Sequence, residues 1–404
     1  LYRLSFRRSF VSLKKIEMLS EKNIAIVGGG PGGLTLARLL QMKGAQVNVY
    51  ERDFSQAARV QGAIVDLHFD SGLKAMEATG LMEAFKANYM KGADKYRLLD
   101  PQGNMLMDES QRDEEPVFGD EHFRPEIDRG ALRDLLIDGL LPGTVVWDSQ
   151  LIGLRELEDK WELKFENGMT AVADLVIGSD GYRSKVRPYL TDLKALYSGA
   201  AIIQGEIDHP EIACPEMYEL VNQGNLMAMG DGATLVVQPR GDGGFTFYAI
   251  SMYPENWGIS SGIDFGNPIE VSGYLKKHFG NWNPVYFMLF EASEHFIWRP
   301  LNYFPLSIRW ASKSNLTLIG DAAHLMPPNG EGVNLAMLDA LDLCECLTSG
   351  RHVNLKEAIS AYEDIMFERA APLCMETIDG IKDFAAPTNE SVKEFVRLLS
   401  NTKS

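Results

Sequence analysis

The segment from Asn23 to Glu51 restricts the fold of this chain more than any other. An apolar run, Ile24-Ala25-Ile26-Val27, leads into Gly28-Gly29-Gly30-Pro31-Gly32-Gly33, then a helix-like stretch to Lys43 and a second run, Val47-Asn48-Val49-Tyr50, ending on Glu51. Glycines 28, 30 and 33 fit G-x-G-x-x-G: the first permits a tight turn, the second lets backbone approach a pyrophosphate, and the third packs helix against strand. Strand, turn, helix and strand follow in the order of a βαβ nucleotide fold. Glu51 stands where a carboxylate accepts hydrogen bonds from an adenosine ribose, and the helix N-terminus, with its free N–H groups, seats the pyrophosphate. The expected ligand is an adenine dinucleotide, with FAD and NAD not yet separated.

Two later segments separate them. The first, Asp174-Leu175-Val176-Ile177-Gly178-Ser179-Asp180-Gly181-Tyr182-Arg183-Ser184-Lys185-Val186-Arg187, is an apolar strand running into Asp-Gly and Arg-x-x-x-Arg. The second runs from Leu316-Thr317-Leu318-Ile319-Gly320-Asp321-Ala322-Ala323-His324 through Pro327-Pro328-Asn329-Gly330-Glu331-Gly332-Val333-Asn334. With the N-terminal glycines they resemble the three fingerprints of the class A flavin monooxygenases, the FAD-dependent aromatic hydroxylases. Further segments resemble the tetracycline-inactivating members of that class: Val49 to Asp53, Val65-Asp66-Leu67-His68, Pro125 to Arg129, Val146-Trp147-Asp148, Lys185-Val186-Arg187 and Gly320 to Pro328. This likeness extends over nearly the whole chain after Met18.

The resemblance implies an α/β fold: a Rossmann-like FAD-binding domain, an antiparallel β-sheet substrate domain and a C-terminal bridging helix. It implies FAD held by Gly28, Gly30, Gly33, Glu51, Arg52, Arg59, Asp66, Arg129, Asp180, Asp321, Pro328, Gly332 and Asn334. Within that set Asp321 would bind ribityl hydroxyls, Asp66 would lie beside the flavin N5 edge, and Arg59 would contact NADPH or accompany flavin movement. The turn after Pro328 departs from the family, which has one more residue there and an aromatic where Asn329 stands. His324 invites an acid/base reading, but a packed or structurally hydrogen-bonded histidine is expected. By the same resemblance the chemistry belongs to the flavin: NADPH reduces it, O2 forms a C4a-hydroperoxide, and one oxygen atom passes to an electron-rich phenol or enol. Substrate contacts carried over are Gln204, Asn225, Met227, Gln238 and Phe247. Asn225 and Phe247 occupy positions where the tetracycline enzymes have Arg and His, so another polycyclic or aromatic metabolite competes with tetracyclines as substrate. A flavoprotein that sequesters drug without turnover is a third reading. No Ser-His-Asp order, HExxH or Trp-x-Trp-x-Ile-Pro segment points to hydrolase, metalloenzyme or halogenase.

Composition narrows the partners. Net charge is −17, and leaving out residues 1–17, with five Lys/Arg and one Glu, makes it −21. Such acidity repels nucleic acid and anionic membranes, so small-molecule partners, O2 among them, and a soluble monomer are expected. Apolar runs are far short of a membrane span. Cysteines 214, 344, 346 and 374 are too scattered for a disulfide framework or a zinc site and read as buried thiols of a cytoplasmic protein, with no metal. Leu1 to Glu17 is basic and has the character of an organelle leader or of translated sequence upstream of Met18. The second is preferred, because the nucleotide-binding strand begins a few residues after Met18.

The three motifs must converge on one cofactor, so the FAD domain is expected to be discontinuous, over 20–76, 117–189 and 301–352. Alternating stretches such as Leu235-Val236-Val237-Gln238 and Phe245 to Ser251 assign 77–116 and 190–300 to a sheet-based substrate domain. Residues 353–404 read as a C-terminal helical segment bracing the two, with Ser391-Val392-Lys393-Glu394 as a capping box.

Overall fold

The computed structural model describes residues 18–58, 64–109, 116–307 and 309–401. The readings placed on Leu1–Glu17 and on Arg59 therefore lie outside the described residues. Five strands form a wholly parallel sheet in the order Leu316–Leu318, Leu175–Gly178, Asn23–Val27, Gln46–Tyr50 and Val145–Val146. The strands bearing the three motifs are adjacent at its centre and edge, so motifs some 300 residues apart end side by side at the carboxyl ends, where open α/β sheets bind ligands. Their side chains are buried on both faces, as expected of a parallel sheet covered by helices.

Helix Pro31–Met42 covers one face and packs against helix Gly332–Thr348. The approach is close: a Cβ on Gly32 would come within 2.8 Å of the Ala336 carbonyl oxygen. A three-stranded antiparallel meander, Leu151–Leu157, Lys160–Phe165 and Thr170–Ala173, completes this half.

The second sheet has seven strands, in the order His295–Tyr303, Leu196–Ile207, Phe245–Met252, Ala233–Pro239, Asn225–Gly230, Tyr96–Leu99 and Met105–Asp108. It is mixed rather than purely antiparallel, because Asn225–Gly230 and Tyr96–Leu99 run parallel. The hairpin 96–108 reaches the sheet from a distant part of the chain, a pairing that local alternation does not reveal. One face packs Phe247, Phe245, Leu235, Val237 and Ala228 against Phe279 and Phe290. The opposite face carries Gln204, Tyr248, Gln238, Asn225 and Met227 toward the first half of the molecule, as period-two alternation requires.

The C-terminal helices bridge the halves. Helix Leu355–Asp379 lies in the core of the parallel sheet, with the Tyr362 hydroxyl donating to the Leu318 carbonyl at 2.9 Å. Ile381–Ala385 then packs on Ile202 and Ile250 of the second sheet, and Val392 of helix Asn389–Asn401 packs on Leu98 and Met229. The capping box lies one turn earlier than read from sequence: Ser391 N donates to Thr388 Oγ1 at 3.2 Å, and Thr388 N donates to Ser391 Oγ at 2.7 Å. Both spacings satisfy the pattern, and the earlier pair wins because the helix already begins at Asn389.

Candidate functional site

The glycine turn is shaped by contacts that admit no side chain. Gly28 has φ +106°, and a Cβ there would come within 2.3 Å of the Ser179 carbonyl oxygen; one on Gly33 would come within 2.3 Å of the Gly28 carbonyl oxygen. At Gly30 the same atom would meet nothing within 4 Å, so the space over the start of the helix is open. No side chain caps that helix, no acid stands in its first turn, and its first backbone bond is from Leu34 N to Gly30 O. The N–H groups of Gly32 and Gly33, at the start of the helix, are left for an anion.

Glu51 is buried at the end of its strand, accepting from Gly29 N at 2.7 Å and Asp53 N at 3.1 Å. Its carboxylate thus holds the glycine turn as well as being available to a ribose through its remaining lone pairs. Arg133 ties this corner together, donating to the Gly29 carbonyl at 3.2 Å and to Asp53 at 3.0 Å, and lying over the Trp147 ring. It was not singled out from sequence, since its partners lie about a hundred residues away. Arg52 is exposed.

The second and third motifs supply the other end. Asp180 Oδ2 accepts from Lys185 N at 2.6 Å, while Oδ1 is buried and has no partner among the described residues. Burial raises the Asp180 pKa, with the Ser184 and backbone hydrogen bonds opposing it. An acceptor in that state is suited to a ligand hydroxyl or amide. Arg187 links the two motifs, donating to the carbonyls of Ala322 and Tyr182 while stacking on Phe304.

Asp321 begins a short helix after Gly320, whose φ is +59°. It is exposed, yet the surrounding protein desolvates it and raises its pKa, with His324 and Arg129 acting against that. A Cβ on Gly332 would lie 3.9 Å from Asp321 Oδ1, so this carboxylate and the N-terminus of helix Gly332–Thr348 share one spot. Arg129, at the start of helix Arg129–Asp138, reaches the same space electrostatically and also acts on Tyr248 of the second sheet. Pro328 is exposed on the loop leading to that helix.

His324 is buried and bonded through Nε2 to Asp339 Oδ2 at 2.6 Å; Asp339 also accepts from Gly320 N at 2.8 Å and from Arg369 at 2.6 Å. The histidine therefore shapes the Gly320 turn from behind, as a structural residue. Asn334 is likewise committed to protein. Its Oδ1 accepts from His68 N at 2.8 Å and Gly72 N at 3.2 Å, and its Nδ2 donates to the carbonyls of Asp66 and Gly330. Its side chain binds the walls together. Asp66 is bonded to His68 Nε2 at 2.7 Å, and His68 Nδ1 lies 3.3 Å from Glu331 Oε1. Burial pulls the His68 pKa down, but the hydrogen bonds and charges of Asp66 and Glu331 outweigh it and push it up to about 9. His68 and Glu331 joined no sequence-based site because each meets its partner only through the fold.

Among the proposed substrate contacts, Gln204 accepts from Arg299 Nε at 2.7 Å and donates to Glu206 at 2.9 Å. Gln238 donates to Asn225 Oδ1 at 3.2 Å, and Asn225 donates to Ala93 O at 2.8 Å and to Glu126. Met227 is half buried beside the C-terminal helix. Phe247 must be corrected: it is fully buried on the far face of the sheet against Phe290 and Phe296. Its neighbour Tyr248 takes the cleft face, since adjacent strand residues point to opposite sides.

These residues fit FAD: an open glycine turn, an unpartnered acceptor at Asp180 and an exposed acid beside a helix N-terminus follow the carboxyl ends of three adjacent parallel strands. Among the described residues no cluster of His, Cys, Asp or Glu has the arrangement of a metal site, the four cysteines are free and buried, and no helix is long and apolar enough to cross a membrane.

Comparison with known proteins agrees. An FAD binding domain family model matches residues 21–98 and 307–365. Monooxygenase asqM of Emericella nidulans is 29% identical over 420 residues, spanning 87% of this chain and 93% of its own. The structure of Klebsiella pneumoniae HpxO complexed with FAD and uric acid superposes with a TM-score of 0.73 at 19% identity, covering 95% of this chain and 94% of that one. Tetracycline destructase Tet(51) gives 0.69 at 18% identity, covering 93% and 94%. The chain is an FAD-dependent monooxygenase, an oxidoreductase.

Proposed function

We propose that this protein uses NADPH and O2 to insert one oxygen atom into an electron-rich aromatic or enolic small molecule, bound between the polar face of the seven-stranded sheet and the flavin. The observation that carries the reading is the single cleft onto which Asp321, the Gly332 helix end, Arg129 and Tyr248 converge from both halves. FAD, when bound and reduced, supplies oxygen activation, which no amino-acid side chain provides. The protein's residues do the rest. Gly28, Gly30 and Gly33 shape the pyrophosphate seat, Glu51 and Asp321 take hydroxyls at the two ends of the cofactor, and the helix dipole at Gly332 favours negative charge beside it. Arg129 adds a second cationic group there. Gln204, Tyr248 and Gln238 orient the substrate from the sheet, and the C-terminal helices limit water access.

A tetracycline-type substrate is a second reading. Gln204 on the cleft face and the likeness to Tet(51) favour it; Asn225, committed to Glu126 and Ala93, and Phe247, buried behind the sheet, weigh against it. The test is to incubate purified protein with NADPH, O2 and either a tetracycline or a panel of polycyclic phenols, and record product masses. A gain of one oxygen atom in a polycyclic phenol with tetracycline unchanged supports the first reading, and oxygenated tetracycline supports the second. Drug binding without NADPH consumption would instead indicate sequestration.

A further inference from the structure

The seven-stranded sheet carries a guanidinium that the cofactor half does not use. On strand Leu196–Ile207, Ile202 and Gln204 share one face; Arg299 stands opposite Ile202 on one neighbouring strand, and Tyr248 stands opposite Gln204 on the other. All four side chains therefore lie on the face that also carries Gln238 and Asn225. Asn225, towards the other side of the sheet, is committed to Ala93 and Glu126 and brings no charge. The cation on this face comes instead from Arg299.

A chain of hydrogen bonds fixes how Arg299 is held. Gln204 is buried, and both ends of its amide are engaged: Nε2 donates to Glu206 Oε1 at 2.9 Å, and Oε1 accepts from Arg299 Nε at 2.7 Å. Glu206 has its own cation, with Arg240 Nη1 3.9 Å from Oε2. Arg299 is exposed, and neither of its terminal nitrogens has a partner among the described residues. The guanidinium is thus fixed at its base with its two outer N–H groups free. Tyr248 is half buried, and its hydroxyl too has no hydrogen-bond partner among the described residues. Burial raises the Tyr248 pKa; Arg129 and Arg299, which oppose the rise, outweigh Glu206, which adds to it. The field of these charges at that hydroxyl is therefore positive. Beside it Tyr248, Val236 and Met227 form a row across three strands, with Phe384 of helix Ile381–Ala385 packed alongside.

We propose that Arg299 and the Tyr248 hydroxyl bind the carboxylate of an aromatic acid whose ring lies along Tyr248, Val236 and Met227, so that the enzyme selects acids over their neutral analogues. Two parallel N–H groups of a guanidinium match the two oxygens of a carboxylate, and the phenol adds a third donor. Gln204 acts through Arg299, as a positioning residue. This inference rests on the monooxygenase reading above and deepens it by naming the substrate class.

The matched probes are 4-hydroxybenzoate with 4-hydroxybenzamide, and 6-hydroxy-2-naphthoate with 6-hydroxy-2-naphthamide. Their dissociation constants are measured at pH 7 on the FAD-loaded enzyme from perturbation of the flavin spectrum. In at least one pair the acid should bind about tenfold tighter than the amide or better. Arg299→Met should cost that acid about tenfold and the amide less than about twofold, and Arg299→Lys, which keeps the charge but loses the fork, should fall between. Gln204→Leu should weaken the acid by about threefold and spare the amide, a charge selectivity that lost packing alone does not produce. Added salt should weaken the acid and not the amide. Should Arg299→Met fail to retain FAD, Tyr248→Phe, expected to cost the acid about fivefold, and the salt series decide. Amides that bind as tightly as acids, no binding of either acid, or acid binding unchanged in Arg299→Met or Tyr248→Phe would overturn the inference. Protein that carries no FAD, or does not oxidise NADPH, would instead refute the underlying monooxygenase reading.

Discussion

Replacing His68 with glutamine should remove a pH-dependent clasp between the two loops that flank the flavin end of the cleft. In the folded protein the His68 imidazole has its pKa raised from 6.5 to about 9, because Asp66 and Glu331 outweigh desolvation. A histidine that gains protons on folding stabilises the fold fully below its unfolded pKa, and that contribution is lost as pH rises through the folded value. At about 1.4 kcal/mol per pH unit, the rise corresponds to at most about 3.5 kcal/mol. Asp66 and Glu331 are 23% and 26% exposed. Solvent screening of that kind brings the expected contribution to about 2 kcal/mol. Urea denaturation of wild type and His68→Gln at a series of pH values reads it directly. The stability gap should be about 2 kcal/mol at pH values near 6 and close towards zero by about pH 10. A gap that stays constant across that range would show that His68 acts only by packing, and would refute the reasoning.

Three further outcomes follow from the geometry. Asp321→Ala should lower FAD affinity by about tenfold or more through the loss of charge-assisted hydrogen bonds, while leaving the unliganded fold intact; a titration of apoprotein with FAD checks it. Phe247→His should destabilise the protein by about 2 to 4 kcal/mol without improving tetracycline binding, because the ring lies in an aromatic core and not in the cleft; denaturant midpoints and tetracycline titration decide both parts. Gly28→Ala should prevent FAD retention, since its Cβ would lie 2.3 Å from the Ser179 carbonyl oxygen and φ is +106°; flavin content per protein after purification is the readout.

The cofactor half was legible because its signals are local. A glycine turn, a strand before it and an acid after it lie within thirty residues, and each has a steric or hydrogen-bonding reason. The substrate half was less legible. Alternation announced strands, but which parity faces the cleft depends on register against neighbours, and a one-residue difference sends Phe247 into the core and Tyr248 to the site. The parallel pairing of Asn225–Gly230 with Tyr96–Leu99 joins segments more than a hundred residues apart, and no turn signal marks it. Residues whose importance lies in a distant partner were invisible for the same reason: Arg133 with Gly29, His68 with Glu331, Glu126 with Asn225. Asn334 shows the reverse case, a motif residue whose side chain serves the scaffold.

The central claim is that a reducible FAD resides in this cleft and reacts with O2. It is tested most directly by adding NADPH anaerobically to the purified protein, following the flavin absorbance, admitting O2, and identifying the flavin released on denaturation. The account predicts bleaching by NADPH, recovery on aeration and release of FAD; FMN in its place, absence of flavin, or a flavin that NADPH does not bleach would contradict it.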